Sequence, residues 1–278
     1  MIENPLPSAP DSVKEKFYDD VIHPAAKQVG YIAETIVMAV NKKLEPIRQW
    51  ATYGKENNEK LECEIQKRLA NTSPENIISP PKEVAVPAII ANSYTDSDTL
   101  RSLYANLLAK AMDKTETTPH PSYVEIIKQL SPDEALLLKT TSLLTKVTAT
   151  CAIRWQDKSD FDNPEGFNLH PNNIIKWFKT GYDILPYYVP EITSFHPKQI
   201  AMMIDNLLRL RLLDNPKGDY ISEKNAYIMF FEDEFIKSIQ PQYQLSKKEL
   251  AHVCGVLTPT QFGKSFYETC VTSKGFDV

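Results

Sequence analysis

Glycine is scarce in this chain, with 8 residues in 278. That scarcity argues against a glycine-rich phosphate loop, a collagen-like tract or a flexible linker. No CxxC joins any of Cys63, Cys151, Cys254 and Cys270, and there is no GxSxG elbow. All four thiols are therefore expected to be reduced, as in a cytoplasmic protein. A long hydrophobic run is also missing. The most apolar stretch, Val29 to Val40, contains Glu34, and it falls well short of the roughly 20 apolar residues that span a bilayer. Met1 to Ser12 has neither a basic n-region nor an apolar h-region, so no secretory signal is expected. Neither sign of charge dominates: 31 Lys and Arg face 36 Asp and Glu, for a net charge of −5. Binding to nucleic acid regardless of sequence needs many cation–phosphate contacts, and the whole-chain charge does not favour it.

Proline is abundant, with 20 residues. Proline favours the first helical position and the segment just past a helix end, so many short helices are expected. Residues 1–10 are proline-rich and expected to be disordered. A helix follows over 11–22 and a second over 24–44, separated by His23-Pro24. In the second, Ala25, Val29, Ile32, Ala33, Ile36, Val37, Val40 and Leu44 share one arc, with Tyr31 and Met38 on the polar side. Further helices are expected over 55–70, 82–92 and from Asp96 or Ser97 to Met112. The last of these carries Leu100, Leu103, Tyr104, Leu107, Leu108, Ala111 and Met112 at helical spacing. Pro121 opens another helix to Leu130. Ser131-Pro132-Asp133-Glu134 reads as a capping box opening a helix to Thr145.

The segment 157–171 reads as a loop, 172–180 as a short helix and 183–197 as a proline-aromatic connector. A helix over 197–213 buries Ile200, Met203, Ile204, Leu207, Leu208 and Leu212. Strands are expected at 220–221, 227–231 and 251–257, and a helix at 259–271. The expected fold is mainly α: an N-terminal helical bundle over 11–130, then a winged-helix-like unit with a small β wing over 131–278. Helices first and strands afterwards is the order that suggests the wing.

Chemical constellations are sparse. Four of the five histidines, His23, His120, His170 and His196, precede proline. They read as helix-start residues rather than metal ligands, since no pair has the i, i+4 spacing of a helical metal site. His252 and Cys254 alternate onto one face of a presumed strand. That spacing could orient a thiolate, but core packing of the cysteine is the stronger reading. Adjacent acids such as Asp19-Asp20 and Glu232-Asp233-Glu234 read as caps or solvated faces. Lys198, Arg209 and Arg211 on the 197–213 helix are the weak candidate nucleic-acid contacts, with Asp205 among them.

Three segments resemble the abortive infection alpha family of prokaryotic proteins. They are Val21-Ile22-His23-Pro24-Ala25-Ala26-Lys27-Gln28-Val29-Gly30; Glu75-Asn76-Ile77-Ile78 running into Val86 to Lys114; and His120 to Leu138. Leu257 to Cys270 is similar to the family's ending. The resemblance implies a role in defence against phage, in which an infected cell stops growing or dies. It carries over no catalytic, cofactor-binding or metal-ligating residue, and no cofactor is expected. The expected activity is non-enzymatic contact with a phage or host protein. The candidate surface is Tyr31, Met38, Asp113, His120, Ser122, Glu125 and Lys128. The alternatives are a membrane-active effector using the 24–44 amphipathic helix at a membrane surface and a winged-helix regulator binding nucleic acid. A homo-oligomer also stays open.

Overall fold

The computed structural model describes residues 54–157, 182–216, 218–222, 224–239 and 248–272. The disordered segment 1–10, the helices at 11–22 and 24–44, Tyr31, Met38, and the 172–180 helix with most of the loop before it are expectations that lie outside the described residues. The chain divides into two compact units. One holds residues up to Leu136 together with Glu268–Val278; the other is Leu137–Tyr267. Among the described residues, no helix is long and apolar enough to cross a membrane.

The first unit is helical. Helix α1 is Lys55–Leu69, α2 is Lys82–Ser93, α3 is Asp98–Ala111 and α4 is Ser122–Lys128; α5, Pro132–Thr140, begins in this unit. Leu61, Ile65 and Leu69 form one buried line on α1 at i, i+4, i+8, as periodicity requires. They join Val84 and Ala88 of α2, Leu103, Leu107 and Leu108 of α3, and Val124 and Ile127 of α4 in the buried core of this unit. Ser97 caps α3, its side chain accepting from the Leu100 N–H at 3.3 Å. The Ser131 capping box forms in both directions: the Ser131 N–H donates to Glu134 Oε2 at 2.7 Å, and the Glu134 N–H donates to Ser131 Oγ at 3.1 Å. Where α1 begins and α2 ends, a polar knot joins them. Asn92 Nδ2 donates to the Asn57 carbonyl at 3.0 Å and to Asn58 Oδ1 at 3.1 Å. Buried Arg101 of α3 reaches Asn57 Oδ1 at 3.3 Å and pairs with Asp98.

The second unit is mixed α/β. Its antiparallel sheet has the order β2-β1-β4-β3, where β1 is Thr148–Asp157, β2 Tyr182–Tyr188, β3 Leu213–Asp214 and β4 Lys248–Pro259. Helix α6, Pro197–Arg209, packs on β2; α7 (Ile228–Glu232), α8 (Glu234–Ile239) and α9 (Gln261–Phe266) complete the unit. The core joins Cys151, Ile153, Leu185 and Tyr188 of the sheet to Ala201, Tyr227, Phe230 and Ile236. Buried Arg154 pairs with Asp183, its register partner on β2, at 2.6 Å.

This unit corrects the expected topology. The described elements give no support to a winged-helix arrangement, because β1 and β2 both precede α6 rather than forming a wing after it. The stretch expected as a strand at 227–231 is a 3₁₀ turn, Lys224–Tyr227, running into α7. A short apolar run fits a strand or a helix equally well by composition. Here Tyr227 and Phe230, three residues apart, are buried, while Ile228 and Met229 are exposed. Residues 220–221 form no strand. The strand expected at 251–257 is the middle of β4. The connector at 183–197 begins with β2, in which Pro186 occupies a strand with one described neighbour, as proline requires.

Candidate functional site

A shallow concavity in the first unit lies along α1 and α3. It is open to solvent and lined by Arg68, Leu69, Thr72, Asn106, Ala109, Lys110, Asp113 and Thr272. Arg68 sits in the last turn of α1, a favourable place for a cation because helix C-termini carry partial negative charge. Its Nη1 donates to the Glu64 carbonyl at 2.9 Å and pairs with the Glu64 carboxylate at 3.1 Å. Its Nη2 donates to Ser102 Oγ at 2.9 Å, and its Nε donates to Asn106 Oδ1. Burial pushes the Arg68 guanidinium below its ordinary range, and the Glu64 charge opposes that shift.

Asn106 passes the connection on. Its Nδ2 donates to the Cys270 carbonyl at 2.7 Å. One turn later Lys110 Nζ donates to the Glu268 carbonyl at 2.5 Å. The carbonyls of the π-turn Tyr267–Val271 thus take an amide and an ammonium from α3, and the Glu268 carbonyl also accepts from Thr272 Oγ1 at 2.7 Å. Burial raises the Cys270 thiol well above its ordinary range, against the pull of Lys110. At the far end Asp113 accepts from the Thr115 N–H at 2.9 Å, Thr115 Oγ1 at 2.6 Å and Thr72 Oγ1 at 3.4 Å. Chemically this is a clasp of neutral and charged hydrogen bonds tying α1, α3 and the final turn together.

The structure separates the residues expected to share one polar rim. Asp113 is buried, 5% exposed, and lines the cleft. His120 is exposed and accepts the Ser122 N–H on Nδ1 at 3.2 Å, so Ser122 takes part through its main chain. Glu125 and Lys128 lie exposed on α4 and pair at 2.9 Å. Tyr104 of α3 feels that surface from inside: burial first, and then the Glu125 charge, raises its hydroxyl pKa. His196 repeats the role of His120, accepting the Lys198 N–H on Nδ1 at 3.3 Å within a capping box with Gln199. Lys198, Arg209 and Arg211 are all exposed. Arg209 donates to Asn206 Oδ1 at 2.6 Å, and Arg211 lies 3.7 Å from Asp214.

Sequence reasoning did not find Arg68, Thr72, Asn106 and Lys110 as a group. Asn106 and Lys110 fall on the side of α3 that apolar spacing marks as polar. Their partners come from residues 268–271, more than 150 positions away, where no local pattern points. Among the described residues, no group of three or more His, Cys, Asp or Glu could hold a metal ion.

The abortive infection alpha profile matches residues 54–270. The chain belongs to the abortive infection alpha family. The match takes in the helices α1 to α9, the strands β1 to β4 and the last two segments of the resemblance; the first, at residues 21–30, lies ahead of it. Membership associates this abortive infection alpha protein with phage defence. No curated protein and no solved structure matches the chain.

Proposed function

We propose that this abortive infection alpha protein acts in the cytoplasm without enzymatic chemistry, by binding a protein of phage or host origin. The observation that supports this reading is how its polar groups are spent. In the cleft, Arg68, Asn106, Lys110 and Asp113 direct their hydrogen bonds to each other's helices, to nearby threonines and to main-chain carbonyls. At α4, by contrast, His120 just ahead of the helix and Glu125 and Lys128 on it are exposed over buried Tyr123, Val124, Ile126 and Ile127. Helix α2, which packs on α4, exposes Ile90, and its C-cap Tyr94 is exposed one turn later, at 41% and 62%. Exposed aromatic and aliphatic side chains together with a charged rim suit a protein contact.

The test reverses the pair, Glu125→Lys with Lys128→Glu, and separately truncates Tyr94→Ala. Both changes are on the surface and should leave the unfolding curve in place. The expected result is binding of the captured partner weakened about tenfold or more, the change that about 1.4 kcal/mol of binding energy controls, with phage plating rising toward that on cells lacking the protein. Full protection and unchanged capture in both variants would remove this surface from consideration.

The membrane-active alternative rests on residues 24–44, outside the described part. The nucleic-acid alternative rests on Lys198, Arg209 and Arg211, of which Arg209 and Arg211 are already engaged by Asn206 and Asp214.

A further inference from the structure

Strands β1 and β4 pair in continuous register from Thr148↔Leu257 to Asp157↔Lys248, and that register sets Cys151 directly opposite Cys254. Both are free thiols, and their sulfurs lie 3.6 Å apart. They sit in the core of the second unit with Leu185, Tyr188, Tyr227 and Phe230. Directly opposed residues in an antiparallel pair have Cα atoms about 4.5 or 5.5 Å apart. Either spacing lies inside the roughly 4.4–6.8 Å that a disulfide spans. Closing the sulfurs to about 2.05 Å therefore takes side-chain rotation, with the backbone already in place.

The two thiols are not equivalent. Cys151 is fully buried and Cys254 half-buried. Burial, followed by the hydrogen bond to Cys254, raises the Cys151 thiol well above its ordinary range. Solvent-borne reagents therefore meet Cys254 first. Beside it the strand is pinned: the Tyr227 hydroxyl donates to the Gly255 carbonyl at 2.9 Å and accepts the Ile221 N–H at 3.0 Å. Oxidation of an unconstrained strand cysteine would leave its partner to chance; here the partner is held in reach.

The geometry points to Cys151 and Cys254 as a redox-modification site, a dithiol that a peroxide converts to an intramolecular disulfide between β1 and β4. The Cys254 thiolate attacks one peroxide oxygen, the O–O bond breaks, and the departing hydroxide takes a proton to become water. Cys254 is then a sulfenic acid. The Cys151 thiol loses its proton, its sulfur attacks the sulfenyl sulfur, and the S–O bond breaks with hydroxide leaving as a second water. In sum, two thiols lose two protons and two electrons, and one peroxide becomes two waters. The product staples the two central strands of the sheet and closes a long loop, which constrains the unfolded chain.

The test uses the full chain, reduced and then treated with graded hydrogen peroxide. Remaining thiols are alkylated, and the protein is digested without reductant and mapped by mass spectrometry. The expected product is one Cys151–Cys254 linked peptide pair, about 2 Da below the sum of its reduced parts, that dithiothreitol separates. It should form at peroxide doses where buried Cys270 is still recovered as a thiol. Non-reducing thermal melts should rise by several degrees after oxidation. A Cys63→Ser background removes cross-linking between molecules through that exposed thiol. In it, Cys254→Ser should abolish the linked pair and leave Cys151 unmodified. The inference is overturned if Cys151 and Cys254 are recovered as separate thiols once Cys63 is fully oxidised. It is equally overturned if Cys254 is found as a sulfinic acid beside an intact Cys151 thiol. Both outcomes are read on the wild-type chain, so they stand even where a variant fails to fold.

Discussion

Gly263 lies hard against the main chain of Leu212: a Cβ built at 263 would come within 2.0 Å of the Leu212 carbonyl oxygen and 2.8 Å of its carbonyl carbon. The neighbouring hydrogen bonds fix that approach. The Thr260 N–H donates to the same carbonyl at 3.1 Å, and Thr260 Oγ1 accepts the Gly263 N–H at 2.8 Å as the cap of α9. A methyl group at 263 must push α9 off the Leu212 turn. Gly263→Ala is expected to cost about 3 kcal/mol, at the upper end of overpacking. Gly255→Ala is the control: its Cβ would meet Asn215 Nδ2 at an ordinary 3.6 Å. Urea unfolding of both variants decides the point, and equal midpoints would show that α9 moves freely.

Arg211 carries strain of a different kind. Helix α6 ends in a Schellman turn: the Leu212 N–H donates to the Leu207 carbonyl and the Arg211 N–H to the Leu208 carbonyl, each at 3.0 Å. Leu207 and Leu212, the two positions that normally touch in this motif, are both fully buried. The turn needs a left-handed residue, and Arg211 supplies it at φ 58° where glycine is the usual occupant. Arg211→Gly should stabilise the fold by about 0.5–1 kcal/mol, the relieved backbone strain outweighing the added freedom of the unfolded chain. A lower melting temperature for the glycine variant would contradict this.

Asn106 bears three long-range bonds at once, accepting from Arg68 and donating to the carbonyls of Cys270 and, at 3.4 Å, Val271. Asn106→Leu keeps the branched shape but removes all of these bonds, leaving a half-buried guanidinium N–H and a main-chain carbonyl unmatched. The expected loss is about 2–4 kcal/mol, more than one ordinary hydrogen bond, because each orphaned group carries its own desolvation cost. Hydrogen exchange should localise the loosening to α1, α3 and residues 268–272. A variant as stable as the parent would mean the clasp contributes nothing.

His252 makes stability depend on pH. Burial pushes its pKa down from 6.5 to about 4, so the folded protein holds it neutral where the unfolded chain is protonated. Between those values the unfolded state binds more protons. The contribution of this group is therefore intact above about pH 6.5 and is lost as the pH falls toward 4, by up to about 3 kcal/mol. Below about 4 it adds no further loss. His252→Gln should flatten this part of the stability profile; an unchanged slope would show that the imidazole does not report the transition.

Several elements were legible because their causes are local. The Ser131 capping box, the Ser97 cap and the His-Pro starts at His120 and His196 each complete a hydrogen bond two or three residues away. The apolar line of α1 lies buried as its spacing predicts, and so do Ile200, Met203, Ile204 and Leu207 of α6, with Leu208 half-buried. Helix α3 shows where such reading ends. Of its expected apolar stripe, Leu103, Tyr104, Leu107, Leu108 and Ala111 are buried and Leu100 and Met112 half-buried, but Ala105, Asn106 and Ala109 on the opposite side are buried too. The chain end, returning to meet Asn106 and Lys110, gives those positions partners that a helical wheel does not contain.

The strands were harder for the same reason. Thr148 to Trp155 is rich in β-branched and aromatic residues, a signal that was there to be read, whereas Pro186 disguised β2 as a connector. Whether an apolar run such as 227–231 becomes strand or helix depends on which neighbour buries it.

What the sequence by itself determined was where helices start, which faces they bury and which family the chain belongs to, because caps and 3.6-residue periodicity act within a turn or two. The tertiary structure alone decided that Cys151 faces Cys254 across 103 residues and that Asn106 meets Cys270 across 164. Those pairings follow from strand register and chain return, which depend on contacts between distant segments and leave no trace in the spacing of neighbouring residues.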